Sequence, residues 1–239
     1  MNRLFVAALN GGRRRSDHPA VPTTPAELAA DAARVAAAGA TEVHVHPRRN
    51  DGSESLDPDD VAATVQSIRM ASPNLRVSVS TAAWAEPNPR RRVRLIEGWT
   101  VLPNSATVNV HEDGAADVVR ALARRGVAVE AGLFTHLAAE QFLSGAIREL
   151  AARVLIEPVD RPVSLALYDV ESIMHLLDRY GVDTMRLIHG EGSNAWHLVQ
   201  RAHELGVATR MGLEDTIWMP DGSHAADNST LVRTALGGH

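Results

Sequence analysis

The sequence predicts a (β/α)8 TIM barrel, and three observations carry the prediction. Short apolar, β-branched runs alternate with Ala/Leu/Arg-rich amphipathic segments, eight of each fit within 239 residues, and polar or ionisable residues recur at the end of nearly every apolar run. A doubly wound open sheet is the competing architecture. It would usually carry a Gly-rich phosphate loop after its first strand, and NGGRRR at 10–15 is a poor version of one.

Taken in order, LFVAALN (4–10) reads as the first strand, followed by a helix over 25–38 that opens on TPAE, Thr24 to Glu27. That tetrapeptide is a capping box with proline at the first helical position. EVHVHP (42–47) is the second strand, and DPDD (57–60) opens the helix over 58–71 in a similar way. RVSVST (76–81) precedes a helix over 89–98, SATVNV (105–110) one over 114–125, and AVEAGL (128–133) one over 136–150. RVLIEP (153–158) pairs with a helix over 169–180, and TMRLIHG (184–190) with one over 194–205. ATRMGLED (208–215) is the last strand, before a helix over 224–236. Glycines after the apolar periodicity, as in AAAGA, RRGV, RYGV and ELGV, mark helix ends. No linker or low-complexity tract interrupts the pattern, so residues 1–239 are expected to be one catalytic domain.

Composition narrows the chemistry. A formal charge of -5 argues against nucleic acid as a general partner, although Arg13 to Arg15 and PRRRVR at 89–94 could meet an anionic ligand. No signal-like or membrane-length apolar run is present, and the expectation is a soluble, cytoplasmic protein with no membrane partner. The chain has no Cys, which removes disulfides, thiolate nucleophiles and Cys-ligated metals. All 24 basic residues are Arg. Without Lys there is no Schiff base, no pyridoxal-phosphate attachment and no P-loop.

In such a barrel the reactive residues sit at the C-terminal strand ends. Those positions read His44 and His46 on the second strand, Ser80 and Thr81 on the third, and Thr107 and Asn109 on the fourth. Glu130 follows on the fifth, Glu157 on the sixth, His189 and Glu191 on the seventh, and Arg210, Glu214 and Asp215 on the eighth. Side chains alternate along a strand, so His44 and His46 share a face and can share a metal ion. Glu214 is the natural third ligand. Two His and one carboxylate with an open position suit Zn(II), ahead of Mn(II) or Fe(II). Asp215 cannot face the same way as Glu214, and is expected to act as a general base with Arg210 stabilising its charged form.

The ordered set LNGGRRRSDHPAVPTTPAEL, EVHVHPRRNDG, VSVSTAAW, SATVN, EAGL and RMGLEDTIWMPDG resembles the beta-keto acid cleavage enzyme family, whose best-known activity is 3-keto-5-aminohexanoate cleavage. The resemblance runs nearly the whole chain and implies a zinc-dependent TIM barrel. It implies that a small-molecule β-keto acid and acetyl-CoA become acetoacetate and a new acyl-CoA. It places zinc on His44, His46 and Glu214, the catalytic aspartate and its arginine on Asp215 and Arg210, and further catalytic positions on Ser80, Thr107 and Glu130. Asn109 is expected to help hold developing oxyanions, and His189 and Glu191 either contact substrate or satisfy loop hydrogen bonds. A homo-oligomer is implied as well.

Two departures stand out. Relatives carry a glutamate in the first loop, where this chain reads GGRRR and Arg13 is the natural occupant, so an uncharged or anionic substrate tail is expected. Many relatives also continue past the last barrel helix, so part of an oligomer interface or substrate cover is expected to be missing. The alternative reading is a metal-dependent hydrolase of the amidohydrolase type. There, however, HxH lies on the first strand and a carbamylated Lys often bridges two metals.

Overall fold

The computed structural model describes residues 4–237. Within them β1 (Phe5–Ala8), β2 (Glu42–Val45), β3 (Arg76–Ser80), β4 (Ser105–Asn109), β5 (Ala128–Leu133), β6 (Ala151–Ile156), β7 (Met185–Ile188) and β8 (Ala208–Met211) pair in chain order. All pairings are parallel, and β8 returns to β1 to close the barrel. Outside it lie α1 (Pro25–Ala37), α2 (Pro58–Ala71), α3 (Pro89–Glu97), α4 (Ala115–Arg124), α5 (His136–Ser144), α6 (Ile147–Leu150), α7 (Val163–Arg179), α8 (Ala195–Leu205) and α9 (Asn228–Gly237). The expected (β/α)8 barrel is the observed fold.

Strand alternation divides the residues cleanly. Val43, Val45, Val77 and Val79 face outward and join Leu28, Val61, Val65 and Ile68 in the main core between sheet and helices. Each such fully buried side chain contributes roughly 1.5–3 kcal/mol relative to exposure. The capping box at α1 forms as read, with Glu27 N donating to Thr24 and the Glu27 carboxylate accepting from Thr24 N.

The barrel interior is half apolar and half ionic. Val6, Leu155, Leu187 and Ala208 make a small apolar cluster. Facing them, Arg153 bridges Glu42 and Glu130, Ser105 donates to Glu42, and Thr107 donates to Glu130 at 2.7 Å. Such a network is stable only when fully paired. Its upper edge, Thr107, lies at the floor of the mouth.

Boundaries move where side-chain pattern is a poor guide. The eighth strand ends at Met211, four residues before the expected end, because Gly212 passes so close to Ala8 that a Cβ would lie 1.9 Å from its carbonyl oxygen. Glu214 and Asp215 therefore sit in the turn after β8. The helix expected over 136–150 breaks at Gly145, which adopts an extended backbone, leaving a one-turn α6. Conversely α7 begins at Val163, directly after Pro162, and not at 169. Leu165 and Tyr168 are exposed there, which hid the helical periodicity. The last helix starts at Asn228 and not at 224, because the loop after β8 first makes a short hairpin. A matching hairpin follows β2.

Among the described residues no helix is long and apolar enough to cross a membrane.

Candidate metal centre and active site

His44 and His46 enter the mouth from β2 with their Nε2 atoms 3.2 Å apart. Glu214 Oε1 stands 3.8 Å from the first and 3.5 Å from the second. Three donors bound ~2.0–2.1 Å from one tetrahedral ion lie roughly 3.3 Å from each other, so this triangle has the size of a metal site. Of the described residues, these three are the ones grouped closely enough to hold an ion. The second Glu214 oxygen, Oε2, is buried without a hydrogen-bond partner, as a further position for a cation would leave it.

Each candidate imidazole ligand is held from behind. His46 Nδ1 meets Glu54 Oε2 at 2.6 Å, and its backbone is clamped by Asn10 through two bonds of 2.9 Å. His44 Nδ1 faces Ser78 Oγ at 3.4 Å. These partners turn both Nε2 atoms toward Glu214. Glu54 also accepts from the Trp84 indole at 2.9 Å, and Trp84 lies nearly parallel to the His46 ring with centroids 6.3 Å apart. The NGG of the first loop gains its explanation here. A Cβ on Gly11, whose φ is +50, would sit 2.3 Å from Glu214 Cγ, so glycine lets that loop lie against the ligand.

The charges are mutually tuned. Burial alone would raise the Glu214 carboxyl, but Arg210 and the two imidazoles outweigh it and hold it well below the usual range. Burial pushes His44 down strongly. It also opposes charge on His46, yet Glu214 and Glu54 reverse the effect and bring His46 up to about 9. One imidazole of the pair thus readily gives its lone pair to a cation, and the other lies in an acidic surround that favours positive charge.

Asp215 is fully buried beside this triangle. One NH2 nitrogen of Arg210 reaches Asp215 Oδ1 at 2.8 Å and Glu214 Oε1 at 2.9 Å. His189 Nδ1 lies 3.4 Å from the same Oδ1, and its Nε2 lies 2.9 Å from Glu157 Oε2. Asp215 Oδ2 has no partner.

The remaining expected residues divide by depth. Ser80 is at the end of β3 in the mouth, where its oxygen accepts from Ala82 N at 3.3 Å. Thr107 and Glu130 lie one layer lower in the ionic network. The Asn109 amide donates to Glu112 at 2.8 Å and also faces Gly132, with Glu157 on the other side of that glycine. Arg13 reaches over the rim, donating through Nε to the Glu214 carbonyl at 3.2 Å. Glu191 is exposed at the start of the loop into α8, within electrostatic reach of Asp215, Glu214 and Arg13.

Sequence reading missed Glu54. It arrives from the hairpin after β2, eight residues beyond its partner, and its Oε1 lies 3.7 Å from where a Gly12 Cβ would be. The GGRRR stretch of the first loop carries no acid of its own, yet an acid from the next loop stands against it. An Asp-Gly-Ser turn was the available signal, because it folds the chain back toward the strand end.

A model of the beta-keto acid cleavage enzyme family matches residues 4–237. The chain belongs to the beta-keto acid cleavage enzyme family. It is 30% identical over 248 residues to the 3-oxoadipate:acetyl-CoA acetyltransferase of Cupriavidus necator, covering 96% of this chain and 85% of that protein. It is 23% identical to the 3-keto-5-aminohexanoate cleavage enzyme of Fusobacterium nucleatum subsp. nucleatum, covering 99% of this chain and 91% of the other. Among solved structures, the ternary complex of ObcA with a C4-CoA adduct and oxalate superposes with a TM-score of 0.74 at 17% identity. That match covers 90% of this beta-keto acid cleavage family member and 62% of ObcA, and it speaks for the fold alone.

Proposed function

We propose that this protein is a zinc-dependent enzyme that exchanges acyl groups between a β-keto acid and acetyl-CoA, giving acetoacetate and a new acyl-CoA. The single observation that carries the reading is the convergence of His44, His46 and Glu214 beside a buried Asp215 whose Oδ2 is unpartnered. Family membership supplies the reaction class. The donor set fits Zn(II), with Mn(II) or Fe(II) next. An ion held there would supply Lewis-acid polarisation of the keto acid's oxygens.

The protein's own groups account for the rest. Asp215 Oδ2 takes the C2 proton as the C2–H electrons shift toward the ketone oxygen. Arg210, buried between Asp215 and Glu214, donates to Asp215 Oδ1 and leaves Oδ2 open to accept that proton. The nucleophilic C2 forms a bond to the acetyl carbonyl carbon, and the thiolate of coenzyme A leaves. The Ser80 hydroxyl accepts from Ala82 N and so keeps its hydrogen for a developing oxyanion. The thiolate then adds to the original ketone carbon, the old C2–C3 bond breaks, and acetoacetate departs with the proton returned to C2. Thr107 and Glu130 support this floor through Arg153, and Asn109 secures the wall through Glu112.

Arg13 gives the rim a cation next to the ligand loop, and Glu54 is engaged by His46 and Trp84. The reading therefore favours a keto acid with an anionic or neutral tail. An amidohydrolase-type hydrolysis finds no support, since HxH is on β2 and the chain has no Lys. Homo-oligomerisation and a cytoplasmic location are part of the same proposal.

The test is acetyl-CoA-dependent acetoacetate formation over keto acids with carboxylate, alkyl and ammonium tails, starting with 3-oxoadipate. Turnover on a carboxylate or alkyl tail, reduced in Arg13→Ala for the carboxylate alone, is the expected result. Turnover confined to ammonium tails would overturn the specificity, and turnover on none of them the activity.

A further inference from the structure

Next to Asp215, the steps above leave the buried ionisable pair His189 and Glu157 unused. His189 closes β7 and Glu157 closes β6; they are 1% and 5% exposed. The His189 ring faces acceptors on both sides. Glu157 Oε2 is 2.9 Å from Nε2, while Asp215 Oδ1 at 3.4 Å and the Gly190 carbonyl at 3.3 Å share Nδ1. With both nitrogens engaged and almost no exposed surface, His189 has no atom to offer a substrate.

What it does offer is a second anchor for Asp215. A carboxylate gripped at one oxygen by one donor can still rotate about its Cβ–Cγ bond. The Arg210 nitrogen that holds Oδ1 is also shared with Glu214. Alone, that fork would allow Asp215 to turn and bring Oδ2 against the guanidinium, removing the base from the substrate. His189 approaches the same Oδ1 from the β7 side, so the carboxylate plane is fixed from two directions. Oδ2 is left unpartnered. Glu157 in turn fixes the ring from β6. The backbone holds the assembly together: His189 N donates to Ile156 O at 3.2 Å, and Gly192 N to Asp215 O at 2.7 Å.

We infer that His189 and Glu157 are a positioning pair that fixes the Asp215 carboxylate with Oδ2 toward C2 of the keto acid. The inference rests on Asp215 being the base of the proposed reaction. It is supported by the surroundings of the ring. Burial and Arg210 oppose charge on His189, but Asp215 and Glu157 outweigh them and bring it up to about 9, so both ring nitrogens carry hydrogen to donate.

The test isolates proton removal from the later carbon chemistry. Wild type, His189→Ala, His189→Asn and Glu157→Gln, each with metal content measured, are incubated with 3-oxoadipate in D2O without acetyl-CoA. Deuterium entry at C2 is followed by proton NMR. Misplacing a catalytic group by about 1 Å can cost on the order of 100-fold, so His189→Ala is expected to slow exchange roughly 30–100-fold. Asn carries an amide N–H near the position of Nδ1, and His189→Asn should recover exchange to within about fivefold of wild type. Glu157→Gln should fall between them. KM for 3-oxoadipate and bound metal should stay within about twofold throughout. Exchange in His189→Ala equal to wild type would overturn the inference alone. Equal loss in the Ala and Asn variants, or loss of metal with exchange, would overturn it in favour of a structural role. Absence of exchange in wild type would overturn the reading of Asp215 and the inference with it.

Discussion

Residues 47–58 after β2 and 217–228 after β8 turn back on themselves through matching contacts. Arg49 N donates to Ser53 O at 2.9 Å where Met219 N donates to Ser223 O at 2.8 Å. Asp51 and Asp221 each accept from the serine two residues on, at 2.9 Å from the amide and 2.6 Å from the hydroxyl. Gly52 and Gly222 both have φ of +83. Aspartate, glycine and serine in that order build the same turn twice, because each satisfies its own local backbone. The residue that follows decides what the turn is for. Glu54 points inward to His46, whereas His224 stays outside against Trp218, 3.9 Å between ring centroids. Local sequence sets the shape of a loop. One side chain and its neighbours across the barrel set its use.

The two hairpins should differ most at that position. Glu54→Ala removes the group behind His46, a proposed metal ligand, and metal affinity should fall about 10–100-fold in a chelator competition. His224→Ala should leave it within about twofold. Equal affinities in the two variants would mean that the hairpins do not differ in function.

The next effect lies at the hairpin ends, where Pro58 and Asn228 open the following helices. Asn228 is buried, donates to Leu9 O at 2.9 Å and to Asp31 at 2.6 Å, and accepts from Leu213 N at 2.7 Å. It ties α9 and α1 to the turn that carries Glu214. Asn228→Ala should cost about 2 kcal/mol in urea unfolding, because it leaves buried polar groups unpaired. Pro58→Ala should cost no more than about 1 kcal/mol, having only backbone stiffness to lose. A reversed order would contradict the assignment of Asn228 as the tie.

The smallest effect sharpens the likeness. Hydrogen bonds from Ser53 and Ser223 hold the Asp51 and Asp221 carboxyls below the usual range. A folded pKa below the unfolded one adds stability above the unfolded value, about 3.9, that is lost as pH falls through the folded value. The two turns should therefore open together at a pH below that at which an ordinary aspartate titrates, read from the Ser53 and Ser223 amide shifts. Separate transitions would show that the turns are not equivalent.

The same contrast explains what the sequence made legible. His44 and His46 share a face by strand alternation, and Glu214 and Asp215 are adjacent, so the proposed metal set and base lie within short motifs. The barrel was legible from its alternating periods. Glu54 was hidden because a hairpin returns it to a partner eight residues earlier, and loop closure leaves no periodic trace. The Glu157–His189 contact joins residues 32 apart across two strands, and each reads alone as a polar strand end. The start of α7 was hidden by Leu165 and Tyr168, whose exposure reverses the expected pattern.

The proposed mechanism needs His44, His46 and Glu214 to hold one metal ion beside Asp215. Anomalous diffraction at the zinc absorption edge, from crystals of the protein as purified, tests it most directly. A single strong peak is expected ~2.0–2.2 Å from His44 Nε2, His46 Nε2 and a Glu214 oxygen. A metal-replete crystal with its peak elsewhere, and none between these three side chains, would contradict it.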